Sequence, residues 1–419
     1  MKGLNQLKRS KGLELKQNLK PDMIKVPNEK INKLLKKLIE NKEELINSLL
    51  DYESYETTID EIKRSIDCLK NLDKELKFFS SQKVDVISSF FPLNLPLYSF
   101  ILFALVPSFM CNRIFVRPSK SMRNVLNNLI HILNVQELFP NIKIIEMHRN
   151  IFLEGFVSTS DVILFTGLYE NALKVKNSCR KDSLFIYNGA GINPIIVTKD
   201  ADVNLATRKI VEARTFNSGQ DCAGPDAILV DKKITSRLTS KIKSILDSYE
   251  IGDYHNKNVK IGKIIDFKKI DKVNNFIEEN KRDIIYGGEI DFKRSIVQPT
   301  IFLKELKKFK HYREFFCPIF VILEYEKERD LFSYFVNPKY KDFAMYVSIF
   351  GNLNNIDFIK HSVLLSNKII LDIEKGNEVY GGFGKKANFV SFDEEYFSRP
   401  ILISKEIYEY VNKKNGFKK

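Results

Sequence analysis

From about residue 80 onwards the chain alternates short apolar runs with stretches of helical periodicity. That alternation restricts the fold more than any other feature. VDVISSFF (Val84–Phe91), NRIFVRPS (Asn112–Ser119), IKIIEM (Ile142–Met147) and DVILFTG (Asp161–Gly167) each read as a buried strand followed by a helix-like segment. A run that is apolar throughout must be covered on both faces, as the strands of a parallel sheet are. LFIYNGAG (Leu184–Gly191) continues the series. A second series follows, with NPIIV (Asn193–Val197) and AILV (Ala227–Val230) around a helix at Ala201–Arg214. IVQPTIF (Ile296–Phe302), IFVILEY (Ile319–Tyr325), FAMYVSIF (Phe343–Phe350), KIILDI (Lys368–Ile373) and a final RPILIS (Arg399–Ser404) complete the expected strands. The class is α/β. At 419 residues the chain exceeds one core, so two units are expected, meeting near residue 190.

Ahead of this region, Pro27 to about Leu72 carries apolar residues at spacings of three and four, with Ile31, Leu34, Leu35, Leu38 and Ile39 on one stripe. Two or three surface helices are expected there. The apolar stretch Leu95–Cys111 is short for a membrane span and contains Pro107, so a buried helix is expected and no membrane partner. Met1–Lys20 is basic without a following apolar segment, unlike a secretory signal. The net charge of +14 is spread along the whole chain without an aromatic binding motif, which argues against nucleic acid as a partner. Five cysteines make no disulfide framework, and a reducing cytoplasm is the expected compartment. No metal site is expected.

Phe216–Gly224 reads FNSGQDCAG, with Cys222 among small residues between a helix and a strand. A loop of this kind can expose a sulfur for nucleophilic attack, and an isolated cysteine near a turn is as often simple packing. The segment resembles the cysteine motif of the aldehyde dehydrogenase superfamily, in which Gly-Gln-x-Cys follows a Phe. Neighbouring segments keep family order. PLNLPL (Pro92–Leu97) is similar to its Pro-x-Asn-x-Pro, and PSFMCNRIFVRPSK (Pro107–Lys120) to its Lys-Pro-Ser-Glu strand. LFTG (Leu164–Gly167) looks like its Phe-Thr-Gly turn, and NGAGINPIIVTKDADVNLA (Asn188–Ala206) like its Glu-Leu-Gly-Gly stretch. QPTIF, REFFCPIF (Arg313–Phe320), FAMYVSIF and GGFG (Gly381–Gly384) follow, so the resemblance covers about residues 27 to 404.

The resemblance implies a Rossmann-type nucleotide-binding domain with N-terminal helices (1–190), an α/β catalytic thiol domain (191–385) and a C-terminal return segment carrying an oligomerisation strand (386–419). It implies that Cys222 forms a thiohemiacetal and then a thioester, with Asn94 and the Cys222 N–H holding the oxyanion. NAD or NADP would lie against Arg117, Lys120, Thr166, Gly167, Glu314 and Phe316. Arg117 and Lys120 are cations near the adenosine ribose, which suits a 2′-phosphate and so NADP at least as well as NAD. Cys317 reads as packing. The substrate would be a small aldehyde or acyl compound, and Phe90, Phe91, Tyr98 and Phe216 point to an apolar one.

The chain departs from the family most at Asn188, where the water-activating glutamate commonly stands. An amide cannot accept a proton at neutral pH, so coenzyme A as acyl acceptor, or acyl reduction, is favoured over hydrolysis. Leu168, Ala172 and the Ala190–Ile192 run alter the cofactor turns, which keeps a second reading open: a degenerate homologue acting as a binding or scaffolding protein. Few residues separate the helices near Leu72 from the Val84 strand, which removes the usual partner of RPILIS and leaves monomer and homodimer both open. The sequence names neither the acyl chain nor the physiological direction.

Overall fold

The computed structural model describes residues 28–79 and 82–416, so Met1–Lys20 lies outside the described residues. Three helices open it, Asn28–Glu40, Lys42–Leu49 and Tyr55–Lys70, within the two or three expected from the periodicity. Leu34 and Leu38 are buried on their common face, and Ile39, at the edge of that stripe, is exposed. Ser54 caps the third helix by accepting from the Thr57 N–H.

Two seven-stranded sheets follow. Across the first, the order is Glu395–Phe397, Asn388–Phe392, Leu184–Gly189, Val162–Gly167, Val84–Phe90, Cys111–Arg117 and Ile142–Ile144. The five strands from the N-terminal half are mutually parallel, and the two C-terminal ones are antiparallel. In the second sheet, Ile195–Val197 and Ile228–Asp231 lie centrally, with Tyr346–Phe350 and Val363–Ser366 on one side. Ile319–Tyr325, Thr300–Glu305 and the antiparallel edge Ile284–Tyr286 lie on the other. The first sheet's parallel strands end at Gly189, and the second sheet begins at Ile195.

The apolar stretch Leu95–Cys111 is a helical segment from Pro96 to Ser108, with a π-turn at Ile101–Leu105. Pro107 has no N–H to give the carbonyl four residues back, and the Ser89 hydroxyl donates to that Phe103 carbonyl instead, at 2.8 Å. Among the described residues no helix is long and apolar enough to cross a membrane.

Three expected strands are corrected. RPILIS is not an oligomerisation strand: only Ile401 pairs, in an isolated bridge with Tyr380, and a helix begins at Ile403 and runs to Gly416. Pro400 lacks the donor a ladder needs, and Ile407 and Tyr410 on the helix bury against the N-terminal helices and the first sheet. The return to that sheet is made earlier, by the hairpin whose two turn residues Asp393 and Glu394 both adopt positive φ (50° and 66°), as a tight hairpin turn requires. KIILDI contains a 3₁₀ turn at Ile370–Asp372, and the strand is the preceding Val363–Ser366. IVQPTIF is broken by Pro299 into Ile296–Val297 and Thr300–Glu305.

Candidate active site

A cavity of about 480 Å³ opens where the parallel strands of the first sheet end and the second sheet's loops face them. This is the position at which open α/β sheets bind ligands. Its wall brings together Asn94, Arg117, Thr166, Gly167, Asn188, Cys222, Glu314 and Phe316. Lys120 stands apart from them: it is exposed in the 3₁₀ turn Lys120–Met122 and takes no part in the wall.

The Cys222 loop is shaped by backbone conformations its sequence supports only in part. Gly219 turns at φ +76°, and a Cβ there would lie 2.4 Å from the Cys317 carbonyl carbon. Asn217 and Ser218 also sit at positive φ, 47° and 54°, held by their own bonds. The Thr57 hydroxyl accepts from the Asn217 N–H at 3.2 Å, and Ser218 Oγ meets the Tyr254 hydroxyl at 2.5 Å. Beneath the loop Arg214, fully buried, donates to the carbonyls of Gly219 (2.6 Å) and Pro225 (3.0 Å) and pairs with Asp226 at 3.8 Å. Asn193 Nδ2 donates to the Cys222 carbonyl at 3.0 Å. The sulfur is half-buried, with the Tyr380 hydroxyl 3.1 Å away. Burial pushes its thiol up, the Asp221 charge adds to that, and the Tyr380 hydrogen bond opposes both.

Asn94 lies between Pro92 and Leu95, and Leu95 takes the left-handed conformation (φ 48°) just before the helix at Pro96. Its carbonyl accepts from the Ser99 hydroxyl at 2.9 Å, which anchors the turn and leaves the side-chain amide at the cavity wall. Asn188 is half-buried at the end of its strand, opposite Thr166 on one side and Asn388 on the other. Cys317 is fully buried, in contact range of Gly219, which suits packing.

The other end of the cavity suits a dinucleotide. Gly167 presents a bare strand end at φ +138°, open to close approach by a phosphate. Arg117 is joined there by Arg149, which donates to the Asn171 side chain and carbonyl at 3.2 Å each. Partial burial, then Arg149 and Arg123, push the Arg117 guanidinium below its ordinary value, marking a cationic surface with excess positive charge. Glu314 is held by Lys269 at 2.9 Å, and the same ammonium lies 5.0 Å from the Phe316 ring centre. Burial lowers Lys269, and the attraction of Glu314 outweighs it, leaving the group raised.

Tyr380, Lys269, Arg149, Arg214 and Asn193 were not singled out from the sequence. Arg214 stands just before the Cys222 motif but reads as an ordinary helix-end cation; the others lie well away in sequence from the residues they meet, and no local spacing marks them. Among the described residues no group of three or more His, Cys, Asp or Glu side chains can hold a metal ion.

Fold and site together define an α/β protein of two sheets with a cysteine in the cleft they share and a cationic nucleotide-sized recess beside it. The chain belongs to the aldehyde dehydrogenase family, whose model matches residues 22–352. It is 27% identical over 286 residues to the dimeric NADP-preferring aldehyde dehydrogenase of Canis lupus familiaris, a match over 65% of this chain and 60% of that protein. The chain thus spans about 60% of that relative's length. An NADP-dependent enzyme of E. coli superposes with a TM-score of 0.77 at 16% identity, over 91% of this chain and 83% of the other. The glyceraldehyde-3-phosphate dehydrogenase GapN of Methanocaldococcus jannaschii, solved with NADP, gives 0.74 at 18% identity, over 93% and 89%. These likenesses are of fold.

Proposed function

We propose that this chain is an NAD(P)-dependent oxidoreductase acting on an aldehyde, or on an activated acyl group in the reverse direction, through a Cys222 thioester. The observation that carries the reading is the single cavity shared by Cys222, Asn94, Asn188, Glu314 and Phe316. Cys222 Sγ attacks the carbonyl carbon, an S–C bond forms, and the π pair moves to oxygen. The Asn94 amide and the Cys222 N–H donate to that oxygen, and such a donor is worth ~3–4 kcal/mol at the transition state. A nicotinamide cofactor supplies hydride acceptance or donation when bound. Glu314 and Phe316 would hold its nicotinamide end, Thr166 and Gly167 its phosphates, and Arg117 with Arg149 its adenosine end. Two guanidinium groups favour a 2′-phosphate, so NADP is expected to bind at least as well as NAD.

Asn188 has no basic lone pair for water, so the thioester is passed to a thiol such as coenzyme A, or is formed from one in acyl reduction. Apolar wall residues Leu95, Leu102, Phe103 and Val106 favour an apolar acyl chain. The test follows reduced-cofactor absorbance with an aldehyde panel, with and without coenzyme A, and with acyl-CoA in reverse. Coenzyme A-dependent turnover that vanishes in Cys222→Ala supports the reading. Turnover unchanged in that variant overturns it, and absence of both turnover and cofactor binding favours a scaffolding role. A tenfold preference for NAD, ~1.4 kcal/mol, overturns the cofactor assignment.

A further inference from the structure

Tyr380 lies outside every motif used so far, yet its hydroxyl is the polar group that meets the Cys222 sulfur, at 3.1 Å. The tyrosine is fixed from three sides. Its N–H donates to the Ile401 carbonyl (2.9 Å) and its carbonyl accepts from the Ile401 N–H (2.8 Å). Its ring packs on Tyr346 with centroids 5.7 Å apart, and the Tyr346 hydroxyl accepts from the next residue's N–H, Gly381, at 2.7 Å. Gly381 turns at φ +108° with Asn388 filling the space where a Cβ would go, 2.7 Å away. Such clamping exceeds what an aromatic wall residue needs and aims one hydroxyl at one sulfur.

We propose that Tyr380 is a catalytic residue whose hydroxyl donates a hydrogen bond to Cys222 Sγ and so stabilises the thiolate that attacks the substrate. The inference rests on Cys222 being the nucleophile. A thiolate carries no proton, so the phenol must be the donor in this bond. Burial and the adjacent sulfur hold the phenol well above its ordinary value, which keeps its proton in place at neutral pH. The other charged groups acting on the sulfur, Asp221 and Glu314, both disfavour a second negative charge there, and Tyr346 is neutral. Tyr380 is therefore the side chain that opposes them. The thiol proton leaves to water in the open cavity. The sulfur lone pair then forms the S–C bond, the carbonyl π pair becomes an alkoxide, and no oxidation state changes in this step.

Tyr380→Phe keeps the ring and its packing while deleting the donor. The measurement is the rate of Cys222 alkylation by iodoacetamide as a function of pH, read on the Cys222 peptide by mass spectrometry, together with the melting temperature. Alkylation about tenfold slower at neutral pH, with its pH midpoint moved upward and an unchanged melting temperature, is expected for loss of one hydrogen bond to a charged sulfur. Equal rates and midpoints in both proteins overturn the Tyr380 role while leaving the nucleophile in place. If the native Cys222 peptide resists alkylation across the pH range, the nucleophile reading itself fails. A variant with a lowered melting temperature is replaced by Tyr380→Leu and Tyr380→His. Faster alkylation at neutral pH in the His variant, which restores a polar donor, supports the proposal. Indistinguishable rates in the two overturn it.

Discussion

At Gly219 and Asn188 a single residue decides what the site can do. Gly219→Ala would put a Cβ against the Cys317 carbonyl in a left-handed backbone. The strain and overlap together should cost ~2 kcal/mol or more, seen as a melting temperature several degrees lower. Asn188 is half-buried at a strand end, in the same cavity as Cys222. Asn188→Glu restores a base for water, and carboxylate release without a thiol acceptor is expected to rise at least tenfold, measured by product analysis with and without coenzyme A. No rise would mean that the strand end does not point its side chain at the thioester.

Among elements, the C-terminal helix Ile403–Gly416 is the one whose role differs most from its sequence pattern. RPILIS carries a short apolar run of the kind a strand has, but its partner strand is missing, and the helix that follows gains more by burying Ile407 and Tyr410 in the large core shared with the N-terminal helices. Ile407 is fully buried, so Ile407→Ala should destabilise by about 3 kcal/mol in denaturant titration. A change below about 1 kcal/mol would show that the helix is docked only loosely. The bridge residue Ile401, beside Tyr380, lies two residues before this helix, so loss of packing here is expected to reach the active site through that bridge. The π-turn at Ile101–Leu105 has a simpler origin: Pro107 removes one donor, and the helix adjusts around it.

Across the whole molecule, a buried carboxyl pair couples the N-terminal helices to the site. Glu53 and Glu61 are fully buried, and the Glu61 carboxylate accepts from the Tyr98 N–H at 2.9 Å, on the helix that follows Asn94. Burial raises both; Glu61 moves from 4.5 to about 7, while Glu53 is raised well above its ordinary value, with the Glu61 charge adding to it. Both groups bind protons more tightly folded than unfolded. Their contribution is therefore fully present below pH 4.5; the Glu61 share is lost as pH rises through about 7, and the Glu53 share falls in the same direction. The melting temperature is expected to fall between pH 4.5 and about 7, the span between the unfolded and folded Glu61 values. Glu53→Gln mimics the protonated partner and should flatten that dependence. An equally steep fall in the variant would place the titration elsewhere.

By itself the sequence determined the α/β class, the series of parallel strands, the buried helix at Leu95–Cys111 and the motif order around Cys222. Those follow from local pattern: runs apolar on both faces, fixed spacings, and glycine or proline where the chain turns. Tertiary structure alone decided which polar groups meet. Tyr380 reaches Cys222 across 158 residues, Lys269 reaches Glu314 across 45, and Arg149 lies beside Arg117, while Lys120 is exposed outside the cavity wall. It also turned RPILIS from a strand into a bridge and a helix. Strand pairing and charge pairing are long-range, set by what another part of the chain offers, and a local pattern contains no record of the partner.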